Sequence, residues 1–107
     1  MTDRTILITG GSRGIGAAVA QEFAAAGDRV AVHYSSAAAD AQGVVDSLAG
    51  TGHIILQADL RDPDAIKTMV DSVAQEFGVI DVLINNAGVF FDPVSYTHLT
   101  LPTKRIV

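Results

Sequence analysis

Apolar residues along the chain alternate between short continuous runs and longer stretches with helical spacing. The first run, Thr5–Thr9 (TILIT), is β-branched and stops at Gly10-Gly11, which predicts a short buried strand. Ile15, Val19 and Phe23 then recur every four residues, with alanine between them and Gly27 placed to end a helix. Arg29–Tyr34 (RVAVHY) predicts a second strand, and residues 37–48 a second helix, with Ala41, Val44, Val45 and Leu48 in register. Residues 53–57 (HIILQ) predict the third strand. The third helix is the best marked: Asp62 can cap it, Pro63 suits its first turn, Asp64 complements its dipole and Gly78 closes it. Its stripe is Ile66, Met69, Val70, Val73 and Phe77, and residues 81–85 (DVLIN) follow as a fourth strand. Continuous apolar strands alternating with helices, β-α-β-α-β-α-β, imply a parallel sheet covered on both faces with right-handed crossovers. The expected fold class is therefore α/β, the N-terminal half of a doubly wound parallel sheet.

Composition narrows what such a domain can do. The 107 residues carry seven Lys and Arg against twelve Asp and Glu, a formal net charge of -5, so a basic nucleic-acid surface is not expected. Mean hydropathy is positive, +0.34, yet no charge-free run approaches the roughly 20 apolar residues of a spanning helix. With no cysteine there is no disulfide, thiolate metal site or thiol nucleophile. No export signal is visible at the N-terminus, and a cytoplasmic location is expected. His33, His53 and His98 show no metal-ligand clustering and are expected to be structural.

The informative motif is Thr9-Gly10-Gly11-Ser12-Arg13-Gly14-Ile15-Gly16, between the first strand and the first helix. Glycines there allow a tight turn, let backbone N–H groups approach a pyrophosphate and let the helix pack closely on the strand. A P-loop would need Gly-Lys-Ser/Thr at its end, and this motif has none. In a dinucleotide fold an acidic residue about 20 positions further on holds the ribose 2'-hydroxyl of NAD. Here that window is His33-Tyr34-Ser35-Ser36, free of carboxylates, while Arg13 offers charge-assisted hydrogen bonds, so NADP(H) is expected over NAD(H). A methyltransferase on a similar fold would need a carboxylate in the same window. Asp59, at the end of the third strand, can accept from an adenine amino group, and Asn85 and Asn86 can bond backbone groups where the fourth strand ends.

These residues, taken in order, resemble the short-chain dehydrogenase/reductase family over residues 5–88. The resemblance rests on TGxxxGxG at residues 9–16, the acid-free strand end at 33–36, Asp59-Leu60, and Asn85-Asn86-Ala87-Gly88 in place of the family's NNAG. Spacing resembles the short enzymes rather than the extended epimerases, and the SRGIG and HYSS wording looks most like 3-oxoacyl-acyl-carrier-protein reductases and related ketone reductases. The resemblance implies a Rossmann fold and hydride transfer between NADP(H) and a small carbonyl or alcohol substrate. It implies cofactor contacts from Gly10, Ser12, Arg13, Gly14, Ile15, Gly16, Tyr34, Ser35, Asp59, Leu60, Asn86, Ala87 and Gly88. A homo-oligomeric parent is also implied.

The family's catalytic Ser and Tyr-x-x-x-Lys have no counterpart here. Tyr96 and Lys104 are eight apart, and Tyr34 is followed by Ala38 where Lys would stand, so no catalytic residue is assigned and the chain is expected to be inactive. Residues 94–107 lack helical period and acidic groups, and ten of them, 94–103, resemble the conceptual translation of a transposon-end sequencing adapter. The expected organisation is a partial Rossmann domain over 1–93 with an extraneous tail over 94–107. The other reading of a genuine tail is a short, non-catalytic NADP(H)-binding module.

Overall fold

The computed structural model describes residues 4–12 and 14–86. Its strands are β1 (Thr5–Thr9), β2 (Arg29–Tyr34), β3 (Ile54–Gln57) and β4 (Val82–Asn85), and its helices are α1 (Gly14–Ala25), α2 (Ala38–Ser47) and α3 (Pro63–Phe77). All strands are parallel, in the order β3-β2-β1-β4. The register runs Ile6 opposite both Val30 and Val82, and Val32 opposite both Ile8 and Ile55.

Alternation along the strands divides the core in two. Ile6, Ile8, Val30, Val32 and Val82 face α1 and α2, where Ala20, Ala24, Ala41 and Leu48 are buried. Leu7, Ala31 and Leu83 face the opposite layer, against Ile66, Met69, Val70 and Val73 of α3. Each β-strand is thus apolar on both faces, which is why the strands read as continuous runs rather than alternating ones. The expected α/β class and element order hold throughout.

Several local features depart from the sequence expectation, and the fourth strand begins at Val82 rather than residue 81. In α1 the buried residues are Gly16, Ala20 and Ala24. Val19 and Phe23 pack at the margin of the core, and Ile15 is 76% exposed. The helix turns its smallest residues to the sheet because Gly16 must approach β1 closely, and this rotates the expected Ile15 stripe outward. In the second helix, Ala37 is the N-cap, without a side-chain bond. The third strand begins at Ile54 rather than residue 53, because the His53 ring accepts the Val30 N–H (3.0 Å) in place of a strand carbonyl. The α3 caps match expectation: Asp62 accepts the Asp64 N–H at 3.0 Å, and Gly78 ends the helix at φ 95°.

Among the described residues no helix is long and apolar enough to cross a membrane, and no cluster of His, Cys, Asp and Glu could hold a metal ion.

Candidate functional site

The parallel strands all point their carboxyl ends to one edge, and there polar contacts tie the end of β1 to the chain on either side of it. Gly10 has φ 64°, a left-handed conformation that an L side chain resists, so β1 can reverse sharply into the turn before α1. Gly10 is gripped from both sides. Its N–H donates to His33 Nδ1 of β2 at 2.9 Å, and its carbonyl accepts from Asn86 Nδ2, beyond β4, at 3.0 Å. The Gly11 N–H donates to the His33 carbonyl at 3.1 Å. Thr9 Oγ1 accepts the Asn86 N–H at 3.1 Å and lies 3.3 Å from both the Ile84 carbonyl and Asn85 Oδ1. A Cβ on Gly16 would stand 2.5 Å from Asn86 Nδ2, 2.6 Å from the Gly10 carbonyl and 2.9 Å from Gly11 Cα, so only glycine lets α1 start here.

In front of this turn lies a cavity of about 680 Å³. Of the residues singled out in the sequence, Gly10, Ser12, Tyr34, Ser35, Asp59, Leu60 and Asn86 line it. Gly14, Ile15 and Gly16 form the first turn of α1, with Ile15 exposed at its start. Arg13, Ala87 and Gly88 lie outside the described residues. The lining also includes His33 and Ser36, which the sequence named only as members of the acid-free window, and Gln57 and Arg61, which it did not pick out. Gln57 Nε2 donates to the Ser35 carbonyl at 3.0 Å, fixing the end of β2. The one signal that could have pointed to Arg61 is its place two positions after Asp59, a spacing at which a turn can fold one side chain back on the other.

Asp59 is the cavity's carboxylate, and it is paired. Its Oδ1 accepts from the Arg61 backbone N–H (2.9 Å) and Nε (3.0 Å), and its Oδ2 from Arg61 Nη2 (3.0 Å). These bonds hold the Asp59 carboxyl down to about 2, so it is ionised at any ordinary pH. Both side chains are substantially exposed, 48% for Asp59 and 86% for Arg61, so the pair orients a charge more than it stabilises the fold. His33 differs: it is buried, and burial pushes its imidazole below the usual histidine range, against a smaller opposing effect of its bond to the Ala58 carbonyl.

A glycine turn opening a helix at the carboxyl edge of β1, with a cavity running toward the ends of β2 and β3, defines a Rossmann-like α/β domain. The family model for short chain dehydrogenases matches residues 4–104, a wider span than the 5–88 that carries the sequence resemblance. The chain belongs to that family, whose members are oxidoreductases. It is 40% identical over 104 residues to the short chain dehydrogenase claC of Passalora fulva, covering 95% of this chain and 38% of that protein. It is 40% identical over 91 residues to the 3-oxoacyl-[acyl-carrier-protein] reductase FabG of Staphylococcus aureus, covering 83% and 37%. The solved structure of a short chain dehydrogenase from Burkholderia cenocepacia in complex with NADP superposes with a TM-score of 0.74 at 45% identity, covering 84% of this chain and 38% of that one. The chain thus spans less than two fifths of the length of these relatives.

Proposed function

We propose that the chain is the cofactor-binding half of an NADP(H)-dependent oxidoreductase, whose whole protein moves a hydride between NADP(H) and a carbonyl or alcohol of the 3-oxoacyl or related ketone type. The observation that carries this reading is the cavity itself. It runs from the glycine turn to Asp59, and the segment that borders it at the end of β2 and just beyond, Tyr34-Ser35-Ser36, carries no carboxylate. An acid there would hold the 2'-hydroxyl of NAD and repel a 2'-phosphate, whereas serine hydroxyls can donate to one. Similarity to the NADP complex from Burkholderia cenocepacia and to the Staphylococcus aureus reductase supports the reading.

In this proposal the pyrophosphate lies against Gly10, Ser12, Arg13, Gly14, Ile15 and Gly16, where the helix N-terminus favours negative charge. Tyr34 and Ser35 border the adenosine ribose, and Asp59 and Leu60 the adenine, with the ionised Asp59 accepting from the amino group. Asn86, Ala87 and Gly88 leave room for the dinucleotide to lie close. When bound, the nicotinamide supplies or takes up the hydride at C4. The domain over 1–93 binds without turning over substrate, and the whole protein is a cytoplasmic homo-oligomer.

Titration of the chain with NADPH and NADH, followed by reduced-nicotinamide fluorescence, tests the cofactor. NADPH is expected to bind at least about tenfold tighter, the scale of one charge-assisted phosphate contact. Arg13→Ala should remove most of that difference by weakening NADPH alone. Equal affinities, or equal losses for both nucleotides in Arg13→Ala, would overturn the phosphate assignment.

A further inference from the structure

His33, the penultimate residue of β2, lies inside the core and borders the cavity at the same time, with 2% of its surface exposed. Its Nδ1 stands 2.9 Å from the Gly10 nitrogen, and its Nε2 stands 2.9 Å from the Ala58 carbonyl oxygen. A backbone N–H can only donate and a carbonyl can only accept, so one state satisfies both. It is the neutral ring with its proton on Nε2 and its lone pair on Nδ1. The His33 carbonyl adds a third bond, accepting the Gly11 N–H at 3.1 Å. One residue therefore takes two successive amides of the glycine turn and anchors the residue just before Asp59.

We infer that His33 is a positioning residue of the cofactor site, and that the Nδ1 lone pair, by holding the Gly10 amide, fixes the glycine turn in the shape that receives the pyrophosphate. The inference rests on the cofactor reading above. Its physical basis is the left-handed Gly10, φ 64°, whose carbonyl is already held by Asn86 Nδ2 from the far side of β1. With His33 on the other flank, Gly10 is held at its N–H by β2 and at its carbonyl by the residue just past β4, β2 and β4 being the two strands that neighbour β1. Its N–H is spent inside the protein, which leaves the later amides of the turn and of the first turn of α1 for phosphate. Without the acceptor, the Gly10 N–H would be left unsatisfied beside the core or the turn would shift to find water. Either change loosens a site whose affinity depends on being formed beforehand. The bond to Ala58 ties the same ring to the loop that carries Asp59, so both ends of the cavity share one fixed point.

Two substitutions separate the two ring nitrogens. His33→Asn places a side-chain oxygen near the position of Nδ1 and keeps the acceptor for Gly10, while His33→Gln reaches toward Ala58 and offers Gly10 nothing. His33→Leu removes both. In the full 107-residue chain, NADPH affinity is measured by fluorescence titration and Gly10 amide hydrogen exchange by NMR without nucleotide. His33→Asn is expected to stay within about threefold of the original chain in both readouts. His33→Gln and His33→Leu are expected to bind NADPH about tenfold more weakly, with faster Gly10 exchange. A merely structural role would lower thermal stability in all three without separating Asn from Gln. Equal affinities for Asn and Gln, or Gly10 exchange unchanged in Gln, would overturn the inference. An original chain with a protected Gly10 amide that binds no nucleotide would instead overturn the cofactor reading on which it rests.

Discussion

His33 and His53 carry the same wiring at opposite ends of β2. In each, Nδ1 accepts a backbone N–H, from Gly10 at 2.9 Å or from Val30 at 3.0 Å. In each, Nε2 donates to a carbonyl, of Ala58 at 2.9 Å or Ala49 at 2.7 Å. Only His33 is buried, and burial lowers its pKa, which links folding to pH. Below the ordinary histidine value of about 6.5 the unfolded chain binds a proton that the folded chain resists. The stabilisation is therefore complete above about pH 6.5 and is lost as pH falls from there through the lower folded value. Asp59, held down to about 2 by Arg61 across the same cavity, keeps its charge throughout this window. The thermal midpoint is expected to fall between pH 7 and pH 5, with a visibly shallower fall in His33→Asn. Identical pH profiles for the two proteins would show that His33 is not the titrating group. The sequence supports a structural role for His33 and His53, since neither clusters with other ligands. It does not show what His33 does, because that depends on a parallel register placing residue 33 beside residues 10 and 58.

At the level of elements, the strands and helices were legible because each had its own apolar period and its own punctuation: Gly10-Gly11, Gly27, Asp62-Pro63 and Gly78. What the apolar period could not supply is the face that α1 presents. Counting hydrophobic residues puts Ile15, Val19 and Phe23 inward, whereas close approach at Gly16 governs and buries Ala20 and Ala24 instead. That constraint yields a paired prediction. Gly16→Ala drives a methyl to 2.6 Å from the Gly10 carbonyl and 2.9 Å from Gly11 Cα, backbone atoms that cannot rotate away. It should cost about 1–3 kcal/mol and weaken nucleotide binding, since the displaced atoms belong to the turn. Gly43→Ala, inside α2 with nothing within 4 Å of the added methyl, should stabilise by about 0.5–1 kcal/mol and leave binding unchanged. Chemical denaturation of both variants checks the signs. A Gly16→Ala chain as stable as the original would mean that α1 does not start as closely against β1 as described. The site shows the same limit of sequence reading: Asp59 stands out by its place after a strand, whereas Gln57 and Arg61 belong to the cavity through bonds formed only once the chain has folded.

At the level of the whole molecule, the sheet has β3 at one edge and β4 at the other, and β4 is paired on one side only, to β1, among the described residues. Among the described residues α1 and α2 share one face, and α3 covers the other alone. A domain of this size buries a modest fraction of its surface, so its stability is small to begin with, and an edge strand as apolar as Val82–Asn85 offers a template for self-association. The chain is accordingly expected to melt at low temperature over a broad range, or to associate as concentration rises. NADPH should raise the midpoint, because a ligand that binds only the folded state stabilises it by mass action. If the domain ends at residue 93, removing residues 94–107 should leave both the midpoint and the NADPH-induced rise unchanged. Scanning calorimetry with sedimentation velocity decides the matter. A sharp, cooperative transition of a monomeric 107-residue chain would show that β4 is already protected, and loss of that transition on removing 94–107 would assign the protection to those residues.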